Sequence, residues 1–218
     1  MQALARASTT RLQVRIEGIE HVPARGPAIL VCRHFHYLYD GAILMAALRR
    51  PVRFVVALDW AHGRGRQLME VLCEWAEWPT VLRAAAPTQG LRTPPDTPAE
   101  RRRYARVALL RCTQVLARGE LLAIFPQGSP TIDPLAPRNA TAGWLPFAGG
   151  YLTVAERARR LGLAVPLIPT GFSYRGQAER PASVTLRFGV PERIASACER
   201  SATGARLEAR VRVLSAEA

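Results

Sequence analysis

Two imidazoles and a carboxylate, His34, His36 and Asp40, fall close together in the sequence Cys32-Arg-His-Phe-His-Tyr-Leu-Tyr-Asp40. A histidine that removes a hydroxyl proton needs a pKa near neutrality and a fixed tautomer, and a carboxylate bonded to its other ring nitrogen supplies the second. The chemistry such a set can do is deprotonation of an alcohol. Either histidine can serve: at ~100° per residue, a four-residue offset places His36 and Asp40 on one helical face. Cys32 adds a thiol, and these residue types also occur in metal sites. Because no second ligand cluster accompanies Cys-x-His-x-His, no metal is expected. The plainest alternative is two histidines that satisfy backbone groups at a strand end.

The elements around the cluster decide whether it is placed for chemistry. Ala28 to Cys32 is a short apolar run introduced by Gly26-Pro27, the pattern of a strand buried on both faces. A helix from about Tyr37 to Arg50 follows, ended by Pro51. The cluster therefore lies where a strand hands over to a helix, the edge at which α/β proteins gather reactive groups. Other strands are expected at Leu12–Ile16 with one wet face, Arg53–Leu58, Thr80–Arg83, Leu121–Phe125, Ala164–Gly171 and Val184–Val190. Thr97-Pro-Ala-Glu100 reads as a capping box opening a helix to about Gly119, and Tyr151 to Arg160 as another helix. Leu68, Val71, Leu72 and Trp75 follow helical spacing and read as a core-facing stripe, with a lining for an acyl chain or a surface resting on lipid as the sharper alternative. Asp59 to Arg66 reads as a plain loop, and His21 as a surface residue of another. Strands alternating with helices give an α/β fold: one domain over 1–218 with a largely parallel central sheet flanked by helices. Residues 1–11 form a lead-in, and 204–218 carry a basic amphipathic helix from about Gly204 to Leu214.

Composition narrows the partners. The net charge is +13, with Lys and Arg together numbering 30 and every one of them Arg. A GC-rich coding sequence alone would give that bias, yet a guanidinium surplus favours phosphates, acidic carrier proteins or anionic lipid head groups. The arginines at 101, 102, 103 and 106 read as a solvated helix face, with contact to phosphate or an acidic protein as the alternative. Nucleic acid is not an expected partner, because no recognised binding motif accompanies the charge. Cys32, Cys73, Cys112 and Cys198 lack paired spacing, which suits a reducing compartment and buried thiols. No signal peptide or spanning apolar run is evident, so the expectation is a cytoplasmic protein, peripheral to the inner face of the cell membrane.

Seven fragments in order resemble the glycerolphosphate and lysophospholipid acyltransferases. Val14 to Pro27 resembles their lead-in, and His34 through Asp40 their first motif, Asn-His, four residues, Asp. Thr80-Val-Leu-Arg83 is similar to the second motif. Phe125-Pro-Gln-Gly-Ser129 is similar to the third, Phe-Pro-Glu-Gly-Thr-Arg. Phe147-Ala-Gly-Gly150, Val165 to Gly171 and Phe188-Gly-Val-Pro191 resemble the remaining segments. The resemblance spans Val14 to Pro191 and implies an acyltransferase-type fold.

It also implies that acyl-CoA or acyl carrier protein donates an acyl group to a glycerol-phosphate or lysophospholipid hydroxyl by direct attack, without a cofactor. Loop amides near Gly128 would receive the oxyanion. By position after its strand His34 is the implied base, with Asp40 its orienter and His36 the second candidate. Arg83, Gln127, Gly128 and Ser129 match the segments that hold the acceptor. The chain departs from the pattern in five places, one of them the Lys missing from the Phe147 segment. One residue is added between His34 and Asp40, Gln127 replaces Glu, Ser129 replaces Thr, and Pro130 stands in place of Arg. Arg138 and Arg175 are the candidates to replace that last cation. An anionic membrane surface is the expected platform.

Overall fold

Five consecutive buried residues, Ala28–Cys32, form strand β2, with the rest of the sheet laid out on either side. The computed structural model describes residues 12–61, 63–83, 97–133, 143–177, 180–194, 196 and 198–216. Around β2 are β1 (Gln13–Glu17), β3 (Val52–Phe54), β6 (Leu121–Ile124), β7 (Leu167–Gln177) and β8 (Arg180–Phe188), in the order β1-β8-β7-β2-β6-β3. Every neighbouring pair is parallel except the β7–β8 hairpin. The largely parallel sheet expected from the sequence is therefore present.

Alternation along β2 sorts the core into two layers, because successive strand side chains point to opposite faces. Ala28, Leu30 and Cys32 pack with Ile43 and Leu44 of helix α1 (Tyr39–Ala47) and with Phe172 and Tyr174 of β7. Ile29 and Val31 face the other way. They pack against α3 (Pro98–Ala117), α4 (Gly150–Arg160) and α5 (Arg200–Leu214) through Cys112, Leu116, Tyr151, Ala155 and Leu207. Each such aliphatic side chain removed from water contributes roughly 1.5–3 kcal/mol, and β2 is buried on both sides. Its trajectory is fixed from above and below, and with it the point at which the chain emerges after Cys32.

Several elements differ from their sequence expectation. The strand expected over Arg53–Leu58 divides at Val55, whose amide still bonds Ala123 of β6 while Val56 turns to the carbonyl of Pro79. The result is a separate two-stranded parallel sheet of β4 (Val56–Ala57) and β5 (Thr80–Val81). Helix α2 (Gly63–Trp75) begins inside the expected Asp59–Arg66 loop. Its Leu68, Val71, Leu72 and Trp75 are not core-facing: they are exposed, and the side that packs carries Met69 and Cys73. The capping box forms as expected, Thr97 Oγ1 accepting from the Glu100 amide while the Glu100 carboxylate accepts from the Thr97 amide. β1 lies at the sheet edge with Val14 and Ile16 both exposed, so it lacks the dry face that its alternation suggests. His21 is half-buried, its Nδ1 2.8 Å from the carbonyl oxygen of Phe188. Cys32, Cys73 and Cys112 are buried free thiols, whereas Cys198 is exposed.

Candidate active site

The chain leaves β2 at Cys32 and needs six further residues to reach the first turn of α1. Those residues, Arg33 to Leu38, do not continue the strand or begin the helix; the middle three, His34 to His36, gather on one carboxylate. Asp40 is fully buried, and its Oδ2 accepts from the backbone amides of Phe35 at 2.7 Å and His36 at 3.0 Å. The same oxygen lies 3.0 Å from Nδ1 of His34. Oδ1 accepts from the hydroxyl of Tyr174 at 2.6 Å. An oxygen already receiving two amide protons acts as acceptor for the imidazole too, so Nδ1 of His34 carries the proton and Nε2 the basic lone pair.

His36 takes the opposite arrangement. Its ring is buried, and its Nδ1 accepts from the amides of Leu38 at 3.1 Å and Tyr39 at 3.4 Å. The four-residue offset therefore joins Asp40 to the backbone of His36 and not to its ring, because residues 33–38 are non-helical and the i,i+4 geometry does not apply before Tyr39. The His34 side chain is 20% exposed and lies against Phe125, with ring centroids 4.4 Å apart. Of the two rings, only that of His34 both meets the carboxylate and reaches the surface.

Burial tunes the groups around Asp40. The Tyr174 hydroxyl is pushed well above the usual phenol range, first by desolvation and then by the nearby Asp40 charge, so it remains a donor. The Cys32 thiol is raised for the same two reasons in the same order and is no nucleophile at neutral pH. The Arg33 guanidinium is lowered by desolvation, partly offset by Asp40.

The loop after β6 completes the site. Gln127 Oε1 accepts from the His34 amide at 2.7 Å, and its Nε2 donates to the carbonyl of Leu145 at 3.0 Å. A carboxamide makes both bonds; a carboxylate would have no proton for Leu145, which accounts for Gln at this position. Thr131 and Ile132 bond the carbonyls of His34 and Phe35, tying the corner to the same loop from the other side. Gly128 adopts φ +75°, closes a turn onto the Phe125 carbonyl, and has room for a Cβ only at 3.2 Å from Cδ of Arg83.

Arg83 is held as firmly. Its Nε lies 3.0 and 2.9 Å from the two Asp59 oxygens and its Nη2 2.7 Å from Oδ2. Its Nη1 donates to the Gly128 carbonyl and to the Ser129 hydroxyl. The arginine thus spans from β4's end to the loop beside His34, with its charge matched by an acid.

Of the residues selected from sequence, His34, His36, Asp40, Arg83, Gln127, Gly128 and Ser129 are joined by direct hydrogen bonds into two linked clusters. Arg138 lies outside the described residues. Arg175 is exposed on β7 and lines, with Arg15 and Arg187, a groove at the β1–β8 edge. Two participants escape a reading of the sequence. Tyr174 stands 134 residues from Asp40 with no local signal, whereas Asp59, an acid at a strand end, carries a signal that could have been noticed. Among the described residues no group of three or more His, Cys, Asp or Glu is arranged to hold a metal ion.

Known proteins share this architecture. Residues 13–173 match the family described as Acyltransferase, and the chain belongs to it. No curated protein matches the sequence. A solved structure with the same fold is the 1-acyl-sn-glycerophosphate (LPA) acyltransferase PlsC from Thermotoga maritima. It is similar at TM-score 0.62 and 16% identity, over 100% of this chain and 79% of that chain.

Proposed function

We propose that this acyltransferase moves a fatty acyl group from a thioester donor, acyl-CoA or acyl carrier protein, to the hydroxyl of a glycerol-phosphate or lysophospholipid acceptor. His34 is the general base. Nε2 takes the hydroxyl proton as the alkoxide oxygen attacks the thioester carbonyl; the carbon–sulfur bond then breaks and the thiolate leaves, receiving the proton back from the imidazolium. Asp40 fixes the tautomer and opposes the imidazolium charge, and Tyr174 holds Asp40. The observation that carries this reading is the 3.0 Å contact between His34 Nδ1 and an Asp40 whose other hydrogen-bond donors are two amides and a phenol.

His36, buried with its Nδ1 bonded to two amides, has a structural role. Gln127 positions His34, and Arg83 with Ser129 shapes the acceptor side. Arg138 is a further acceptor contact on sequence grounds. The protein acts at the inner face of the cell membrane; among the described residues no helix is long and apolar enough to cross a membrane.

The test is incubation of the purified protein with labelled acyl-CoA or acyl carrier protein and a panel of glycerol-phosphate and lysophospholipid acceptors. Ester product is expected with wild type and loss of about 10²–10⁴-fold in rate with His34→Ala. Full activity in His34→Ala together with loss in His36→Ala would transfer the role to His36. No ester from any pair, with lipid binding retained, would mark a relative that binds lipid without turnover.

A further inference from the structure

Helix α2 turns its apolar face away from the protein. Leu68, Val71, Leu72 and Trp75 stand at i, i+3, i+4 and i+7, one continuous stripe, and they are 60%, 65%, 45% and 71% exposed. The helix is not loose behind them. Met69 and Cys73 pack into a small core with Leu58 and Leu82. Glu70 accepts from the Tyr104 hydroxyl at 2.6 Å, and Glu74 pairs with Arg111 at 2.6 Å, so another side is fastened to α3. A stripe of this size on a firmly seated helix is unusual for a surface that meets only water.

We propose that this face of α2 is the surface by which the protein rests on an anionic bilayer. The proposal builds on the reading that the acceptor is a membrane lipid. Three observations favour lipid over a protein partner. Arg64, exposed, stands one turn ahead of Leu68 on the same face, where a guanidinium reaches head-group phosphates while the apolar side chains enter below them. On α3, fastened to α2, Arg102, Arg103 and Arg106 are exposed, in a chain of net charge +13. Apolar side chains are also exposed at the reactive corner itself, Tyr37 at 52% and Leu38 at 51%, and at Trp60, 44%, next to the Asp59 that holds Arg83. With 13 residues α2 is too short to cross a bilayer and suits lying along one.

The experiment is flotation of the full chain with vesicles of phosphatidylcholine alone or phosphatidylcholine mixed with phosphatidylglycerol, alongside its oligomeric state in solution. Wild type is expected to float with the mixed vesicles, less so as salt rises. The double variant Leu68→Asp, Val71→Asp is expected to bind them about tenfold or more weakly while melting at the wild-type temperature, and Trp75→Phe to lose part of the vesicle-induced blue shift in tryptophan emission. Undiminished flotation of the double variant would overturn the proposal, as would equal binding to neutral vesicles, or a wild-type dimer that the double variant abolishes. Flotation that depends on α2 without ester product from any acceptor would sink the functional reading and leave the surface standing. Ester product with flotation indifferent to α2 would do the reverse.

Discussion

Two aspartates of the candidate site stand in contrasting company. Asp40 is wholly buried, and the donors that meet it are two backbone amides, a phenol and an imidazole. Asp59 is partly exposed and faces a guanidinium. Among the described residues, none of the groups that hydrogen-bond Asp40 is a guanidinium, and in the proposed reaction its part is to orient the His34 ring. Asp59 is paired with Arg83, and together they brace the Gly128 loop against the segment after β4. The difference teaches that the surroundings of a carboxylate, more than its presence, decide whether it is left facing an imidazole or is tied up in an ion pair.

The strongest way to break the comparison is to neutralise Asp40. Asp40→Asn keeps the size but permits the wrong His34 tautomer, and kcat is expected to fall about 10²–10⁴-fold with little change in KM. Retained kcat would mean that the imidazole needs no orienting acid.

The other side sharpens it. Arg83→Ala leaves Asp59 without its cation and loosens the Gly128–Ser129 loop. The expected result is a raised KM for phosphate-bearing acceptors and a stability loss of about 1–2 kcal/mol, read from denaturant unfolding. If Arg83 serves only as a brace, Asp59→Asn will reproduce much of the stability loss. An unchanged KM in Arg83→Ala would place acceptor recognition elsewhere.

The smallest effect is expected at alkaline pH. Tyr174 and Cys32 are both raised by burial and by Asp40, so the folded protein keeps protons that the unfolded chain releases. Their contribution is complete below the ordinary values of 9.0 for Cys and 10.0 for Tyr and is lost as pH rises past them. Stability should therefore decline above pH 9–10, and Tyr174→Phe should decline less steeply. Cys112 and Tyr151, each raised to about 12, keep some slope in the variant. An identical slope in Tyr174→Phe would deny the phenol its place beside the carboxylate.

Local pattern revealed what local physics determines. The apolar run of β2, the Thr97 cap and the strand-to-helix corner were legible because each is a property of neighbouring residues. The exposure of α2 was not, because spacing shows that Leu68, Val71, Leu72 and Trp75 share a face without saying which way it turns. That depended on Glu70 and Glu74 finding Tyr104 and Arg111 on α3. Tyr174 was equally hidden: nothing near it in sequence announces a partner on α1. At the corner after β2, which of the two imidazole rings meets Asp40 could not be read by counting offsets, since it depended on where α1 begins.

The gathering of His34, Phe35 and His36 onto one Asp40 oxygen has a consequence for how such sites diverge. A helix would demand a fixed interval between imidazole and acid, since each inserted residue rotates the pair apart. A loop gathered by its own amides onto the acid absorbs an extra residue as slack and still delivers the ring to contact. Searches that insist on one interval will pass over chains built this way, while a search for an acid capped by two successive amides, with an imidazole on the residue just before them, would recover them.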